Sequence, residues 1–420
     1  MRVLIVGAGL AGLCLAQGLV GAGVEVVVHE RDPGPDSRPQ GYRIHLDGRA
    51  DEGLRVCLPP DLYRLFRATT GRPSRRFSVV IKQLKPLHTI RFPEPQRDRA
   101  AAEPGSEPGP GPGPLSTSVD RLVLRTVLLC GLGKVVRFGS EFVSFEQEGA
   151  DGPVRARFAD GSEDVGDLLV AADGVGSRVR GQYLPQARVP DSGGRTLYGR
   201  TPLTDEVRGF LPETLGGGFT AVVGSRRLGM ALGLVDFREP LAETAARLRP
   251  DADFGTIGSY AMWALSGQGR AFPPDRQLRE LDPAGLHRVA TDLVRGWHPA
   301  LRSLIERATE SETGILGIRV SEPVEPWPSS SVTLLGDAIH AMSPARGSGA
   351  NIALKDAGRL CAQLTAAAQG GTPLLDAVAR YEADMRDYGF AAVQDSLAVF
   401  RQGGGPLAGL AALLSRRSKR

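Results

Sequence analysis

The first thirty residues, MRVLIVGAGLAGLCLAQGLVGAGVEVVVHE, constrain this chain more than any other stretch. Val3 to Val6 is a short apolar run suited to a strand buried on both faces. Gly7, Gly9 and Gly12 follow in the pattern G-x-G-x-x-G. Leu13 to Leu19 then reads as a helix, and Val24 to Val28 as a second buried strand closed by Glu30. A dinucleotide site needs these parts in this order. The first glycine makes the tight turn, the second lets backbone approach a pyrophosphate, and the third lets helix and strand pack closely. The helix start offers unpaired N–H groups and a positive dipole end to phosphate. The acid, about 20 residues on, accepts hydrogen bonds from ribose hydroxyls. Glycine is abundant here, 54 of 420 residues, so the specificity comes from the strand, helix and acid around the three glycines. A signal peptide or membrane span is the rival reading, since Gln17 and Glu25 are the only strongly polar residues between 3 and 28. Gly7, Gly9, Gly12, Gly18, Gly21 and Gly23 would weaken such an isolated helix, and only Arg2 supplies flanking charge.

The rest of the composition narrows the class. With 41% hydrophobic and 23% charged residues the chain is globular, long enough for one large domain or two interleaved ones. No long uncharged apolar run follows residue 28, so no membrane span is expected. Cys14, Cys57, Cys130 and Cys361 are scattered, with no C-x-x-C, which predicts reduced, buried thiols in a cytoplasmic protein. The six histidines lack metal-ligand spacing, and no metal is expected. Net charge is +4, with basic residues dispersed among nearly as many acids. That argues against nucleic acid as a partner and suits a phosphate-bearing cofactor.

Along the chain, Gln40 to Leu46 alternates like a strand, and 49–69 reads as short helices broken at Pro59-Pro60. Phe77 to Ile81 and Leu87 to Phe92 look like strands. The tract PGSEPGPGPGP at 104–114 predicts a flexible loop. Val119, Leu122, Leu124, Val127 and Leu128 fall on a helical period, with Ser116 to Ser118 as candidate caps and Arg121 in the first turn. Leu168 to Val170 predicts a buried strand running into Asp173-Gly174. Residues 185–282 change to short β-like runs, a mostly antiparallel layer suited to a substrate wall. Ser331 to Leu335 predicts another buried strand, ending in Gly336-Asp337. A turn with Pro344, Gly347 and Gly349 precedes a helix from about Asn351 to Gln369, and Leu374 to Phe400 has helical spacing. Residues 401–420 are expected to form a terminal helix and a solvated basic tail.

Three Gly-plus-acid turns therefore stand at predicted strand ends: Gly7–Gly12, Asp173-Gly174 and Gly336-Asp337. In a doubly wound sheet, ligands bind beyond the carboxyl ends of the strands. Each turn alone is ordinary; the three in this order are not.

At this point the sequence resembles the class A FAD-dependent monooxygenases, relatives of para-hydroxybenzoate hydroxylase. The resemblance rests on GAGLAG with Glu30, on DLLVAADGVGSRVR from Asp167, and on LLGDAIHAMSPARGSGANIALKDA from Leu334. Arg121, Leu124 and Arg125 also match an R-x-x-L-R helix start. It implies an α/β fold: a Rossmann-like FAD-binding domain (1–75, 115–184, 283–400), an interleaved antiparallel-sheet substrate domain (76–103, 185–282), and C-terminal helices. It implies FAD held by Gly7, Gly9, Leu10, Ala11 and Gly12, with Glu30 on the adenosine ribose and Arg31 near the adenine end. Arg121 and the Gly336-Asp337 turn would serve the pyrophosphate and ribitol region, and Asp173 and Gly174 both FAD and the transient NAD(P)H. Pro344, Gly347, Gly349, Ala350 and Asn351 would lead a helix start to the flavin pyrimidine edge, where N–H groups stabilise negative charge on reduced flavin.

Arg43 matches a position near the isoalloxazine and reads equally well as a structural strand arginine. Arg43 and His45 are the catalytic candidates, with Tyr42 also able to face substrate; His340 reads as structural. Arg346, Ser348 and Lys355 depart from the family's usual residues. The resemblance further implies NADPH or NADH as a transient reductant, held without a second nucleotide-binding unit. Dioxygen would add at flavin C4a to give a hydroperoxide. One oxygen would then pass to an aromatic or polyketide-like small molecule, in secondary metabolism, in a monomer or homodimer. The rivals are a flavin reductase, dehydrogenase or cyclase without oxygen insertion, and a nucleotide-binding protein without turnover.

Overall fold

The computed structural model describes residues 1–35, 37, 42–92, 116–224 and 228–401. The 104–114 tract, Gln40, Gly41 and the basic tail lie outside the described residues. Strand β1 (Arg2–Val6) is the centre of a five-stranded sheet. The order is β17 (Val332–Leu334), β11 (Leu168–Ala171), β1, β2 (Glu25–Glu30) and β7 (Val136–Phe138). All four pairings are parallel. Continuous Val, Ile and Leu make these strands suited to burial on both faces. The helix Leu10–Gly21 covers one side and is itself packed by the helix Gly349–Ala368. A small antiparallel sheet of β8 (Phe142–Gln147), β9 (Val154–Phe158) and β10 (Glu163–Gly166) packs on β1 and β11.

The second layer is a seven-stranded sheet. Its order is β16 (Gly314–Arg319), β12 (Asp191–Pro202), β15 (Tyr260–Gln268), β14 (Gly229–Val235), β13 (Gly218–Val223), β4 (Arg76–Ile81) and β5 (Pro86–Arg91). Every pairing is antiparallel except β13 with β4. The fold class expected from sequence is therefore present, a parallel α/β unit interleaved with a mostly antiparallel one.

One boundary moves. The helices Pro283–Leu293 and Pro299–Glu306, expected with the parallel unit, place Leu286, Leu301 and Leu304 in the same core as Trp263 and Leu265. Strand β16 pairs with β12 of that sheet. The parallel unit resumes only at β17. Helical periodicity marks an apolar face and says nothing of which sheet covers it.

A two-stranded ribbon joins the layers. Here β3 (Arg43–Asp47) pairs antiparallel with β6 (Ser116–Asp120). Ser116 to Ser118 are thus strand residues and not helix caps. Asp120 caps the helix Arg121–Leu129, accepting the N–H groups of Leu122 at 2.8 Å and Val123 at 3.0 Å.

Cys14, Cys57 and Cys361, far apart in sequence, are buried and free, and their thiols meet beside Gly18. A Cβ on Gly18 would lie 2.4 Å from Cys361 Sγ and 3.1 Å from Cys57 Sγ. Among the described residues no helix is long and apolar enough to cross a membrane.

Candidate functional site

Because the five strands are parallel, the ends of β1, β2, β11 and β17 share one edge of the sheet. Gly7 turns the chain there with φ +106°, and its N–H donates to His29 O at 2.8 Å. A Cβ on Gly7 would come within 2.4 Å of Ala172 O, and one on Gly12 within 2.2 Å of Gly7 O. Both glycines are demanded by backbone. A Cβ on Gly9 meets nothing nearer than 3.9 Å, so that side of the turn is open. Gly9 is the extended N-cap of the Leu10–Gly21 helix, with no side-chain cap and no acid in the first turn. The N–H groups at this helix start have no partner within the helix and no capping side chain.

The site's polar residues brace the turns as well as line them. Glu30 is buried and accepts the N–H of Ala8 at 2.7 Å and of Asp32 at 3.0 Å. Each carboxylate oxygen keeps a second lone pair for a ligand hydroxyl. Arg31 is exposed at the end of β2. Arg125 is buried, donating Nε–H to Ala8 O at 3.0 Å and a second N–H to Pro35 O. Asp173 stands beside the Gly7 turn. Its Oδ2 accepts the N–H of Arg178 at 2.9 Å, while its buried Oδ1 has no hydrogen-bond partner among the described residues. Burial pushes this carboxyl above the usual carboxylate range. Such an orphaned acceptor suits a ligand hydroxyl donor. Arg180, quoted in the motif without a role, donates to Val175 O at 2.9 Å and Ala338 O at 2.8 Å, tying the second turn to the third.

The third turn needs φ +63° at Gly336, whose N–H donates to Asp356 Oδ2 at 2.8 Å. The same carboxylate receives His340 Nε2 at 2.6 Å and the Tyr388 hydroxyl at 2.8 Å. His340 and Asp356 are fully buried, which fits a structural histidine. Asp337 is exposed to solvent. Surrounding protein pushes its carboxyl upward, His340 and Arg121 draw it back, and Asp356 adds to the rise. Its Oδ1 is 3.9 Å from where a Cβ on Gly349 would stand. Arg121 and the Gly349 helix start therefore both lie near Asp337. Of the departures from the family pattern, Ser348 is the buried N-cap residue of the Gly349 helix, and the other two face elsewhere. Arg346 pairs with Asp395 at 2.7 Å, and Lys355 lies 4.0 Å over the Tyr388 ring, both on the helix Leu374–Arg401.

Asn351 joins this turn to the ribbon. Its Nδ2 donates to His45 O at 2.8 Å and Gly347 O at 2.9 Å, and its Oδ1 accepts the Asp47 N–H at 2.8 Å. The side chain is thus spent on backbone, leaving its main chain to face a ligand. Pro344 and Gly347, at φ +60°, shape the turn ahead of it, and Ala350 is half-buried in the helix's first turn. Asn351→Ala should cost about 2–4 kcal/mol, because buried backbone groups lose their partners. Urea unfolding reads that loss, and flavin retained through gel filtration reads the loosened turn. Arg43 and His45 stand on one face of β3. Burial, aided by Arg43, pushes His45 down to about 4, so it is neutral at physiological pH.

A flavin dinucleotide fits what is present: glycine turns that leave an open side, an uncapped helix start, an orphaned acceptor at Asp173, and Arg121 near Asp337. A family model described as an FAD binding domain matches residues 1–47 and 294–396. The dual O-methyltransferase/FAD-dependent monooxygenase elcB of Phaeosphaeria nodorum is 33% identical over 384 residues, covering 86% of this chain and 40% of that protein. The similarly described CTB3 of Cercospora beticola is 32% identical over 408 residues, covering 91% and 44%. The chain spans less than half the length of these curated relatives. A solved structure from Photorhabdus luminescens, assigned by its name to FAD containing monooxygenases, superposes with TM-score 0.80 at 29% identity, covering 96% of this chain and 98% of the other. Klebsiella pneumoniae HpxO, solved with FAD and uric acid, shares the fold at TM-score 0.72 and 21% identity. With sequence and fold in agreement, the chain carries an FAD binding domain and is similar over most of its length to FAD-dependent monooxygenases.

Proposed function

We propose that this protein is an NADH- or NADPH-dependent FAD monooxygenase that places one atom of dioxygen on an aromatic or polyketide-like small molecule in secondary metabolism, as a cytoplasmic monomer or homodimer. The observation that carries the reading is the meeting of three Gly-plus-acid turns along one sheet edge, with Arg121 near Asp337. When bound, the flavin supplies the redox chemistry, taking hydride from the nicotinamide and activating dioxygen at C4a. The chain's own residues bind and orient. Gly7 to Gly12 would receive the pyrophosphate, with Arg121 offsetting its charge. Glu30 would take the ribose on its remaining lone pairs, and Asp173 Oδ1 a further hydroxyl. N–H groups at Gly349 to Asn351 would hold negative charge on the reduced ring. The seven-stranded sheet would wall the substrate from water. The names of the relatives, dual methyltransferase/monooxygenases of fungi and an aurachin C monooxygenase/isomerase of Stigmatella aurantiaca, favour natural-product chemistry.

The test is a purified protein that is yellow, or becomes so with FAD, and whose NADPH oxidation rises when a panel of aromatic compounds is supplied under labelled dioxygen. Label in the product supports oxygen insertion. Stimulated oxidation with no label in any product would make the protein a reductase, dehydrogenase or cyclase.

A further inference from the structure

Among the described residues Arg43 has no paired anion. It opens β3, half-buried, and touches a backbone carbonyl and a ring. Its Nε–H donates to Leu234 O at 3.3 Å, and its guanidinium carbon lies 5.4 Å over the centre of the Phe219 ring. Room for its stem exists because residue 233 is glycine, where a Cβ would fall 2.7 Å from Arg43 Nε. Burial pushes Arg43 down to about 10, still far enough above neutrality to keep it charged. No carboxylate forms an ion pair with it among the described residues. Tyr260, a titratable neighbour, is buried, kept un-ionised by that burial, and gives its proton in a 2.7 Å hydrogen bond to Asp120 Oδ2. His45, on the same face of β3, is neutral. A partly desolvated cation with unspent donors is unusual, because cations taken out of water are ordinarily paired.

What lies beside it is flat and apolar. Phe219 stacks on Phe77 across the β13–β4 pair, with ring centres 5.8 Å apart and planes 6° from parallel. Leu234, Gly233, Phe219 and Phe77 all belong to the seven-stranded sheet. The glycine turns and Arg121 belong to the opposite layer, and negative charge on the flavin has its own helix start at Gly349. The guanidinium therefore faces the substrate wall.

We infer that Arg43 and Phe219 form a subsite for a substrate that is an aromatic anion, a carboxylate or an ionised phenol, with the guanidinium pairing the charge and the Phe219 face covering the ring. The inference rests on the flavin monooxygenase reading and adds to it the charge of the substrate. Arg43 acts by binding and orienting; it takes no proton.

The probe pair is salicylate and its uncharged amide, salicylamide, titrated calorimetrically at neutral pH into the FAD-loaded protein. Salicylate should bind about 10- to 100-fold more tightly than salicylamide, the range of a charge-assisted hydrogen bond. Arg43→Gln should erase that preference while the protein keeps its FAD, and Arg43→Lys should restore part of it. Phe219→Leu should weaken acid and amide alike, since it changes the ring's cover and not the charge. Equal affinity for acid and amide in the parent overturns the inference, as does a preference that survives in Arg43→Gln. Loss of FAD from both Arg43 variants would assign the residue to the cofactor and overturn it also. Failure of the underlying reading looks different: the parent protein then takes up no FAD, whichever salicyl compound is present.

Discussion

Gly7→Ala should give a protein that takes up no FAD and unfolds at clearly lower urea than its parent. The added methyl would stand 2.4 Å from Ala172 O and 2.7 Å from Ala172 C. Those are backbone atoms of the neighbouring strand end and cannot rotate away. Alanine must also adopt φ +106°, a conformation that L side chains rarely take. Relief requires the β1 and β11 ends to part, at roughly 3–5 kcal/mol for strain and overpacking together. Against a total of about 5–15 kcal/mol, the chain still folds but lives near its limit. Gly9→Ala separates folding from binding. Its methyl meets only one atom, at 3.9 Å, so urea unfolding should be unchanged. If a pyrophosphate approaches the open side of that turn, visible flavin absorbance should nevertheless be lost. A Gly7→Ala protein with full stability and full colour would contradict the strand-end contact.

The second large effect centres on Asp356. Its carboxylate is fully buried and gathers the Gly336 N–H, His340 Nε2 and the Tyr388 hydroxyl. Asp356→Ala leaves these donors without a partner in the core, and about 3–5 kcal/mol should be lost. The flavin site should suffer with it, because Gly336 begins the turn that presents Asp337. Asp356→Asn keeps the shape and removes the charge, which isolates the electrostatic part. Burial draws His340 down, but the charge and hydrogen bond of Asp356 outweigh it, so the imidazole sits above its ordinary 6.5. A raised folded value means the proton is held more tightly in the folded state. The associated stability is complete below pH 6.5 and disappears as pH rises through the raised value. Urea midpoints measured across that window should fall with pH in the parent and change little in Asp356→Asn. Equal slopes would show that the pair carries no net charge coupling.

The parts of the site legible in sequence were local ones. Val3 to Glu30 holds strand, turn, helix and acid within thirty residues, and the glycines are explained by contacts the pattern itself implies. The Gly336-Asp337 and Asp173-Gly174 turns were legible because buried strands run straight into them. What escaped was decided by distant partners. Ser116 to Asp120 carries both cap residues and strand alternation, and only pairing with Arg43 to Asp47 settles which applies. Asn351 reads as a ligand-facing residue, yet its amide is spent on His45, Gly347 and Asp47, two of them in a strand some three hundred positions away. Arg125 and Arg180 were visible as motif letters, but their bracing of Ala8 and Ala338 is a property of the assembled edge. The helices at 283–306 carry an apolar face that either sheet could have covered.

The placement of β1 in the middle of its sheet has a consequence for biosynthesis. Strand β1 is flanked in the finished protein by one that is synthesised much later: Val3 waits for Leu168, and Leu169 in turn waits for Val332. During that interval a bare, apolar edge is exposed to other nascent chains, the circumstance in which strand-to-strand aggregation competes with folding. Such long-range closure is also slow. The turns that would cradle a cofactor come together only once the Gly349–Ala368 helix has been made, and chains released earlier would emerge with no complete cradle to fill.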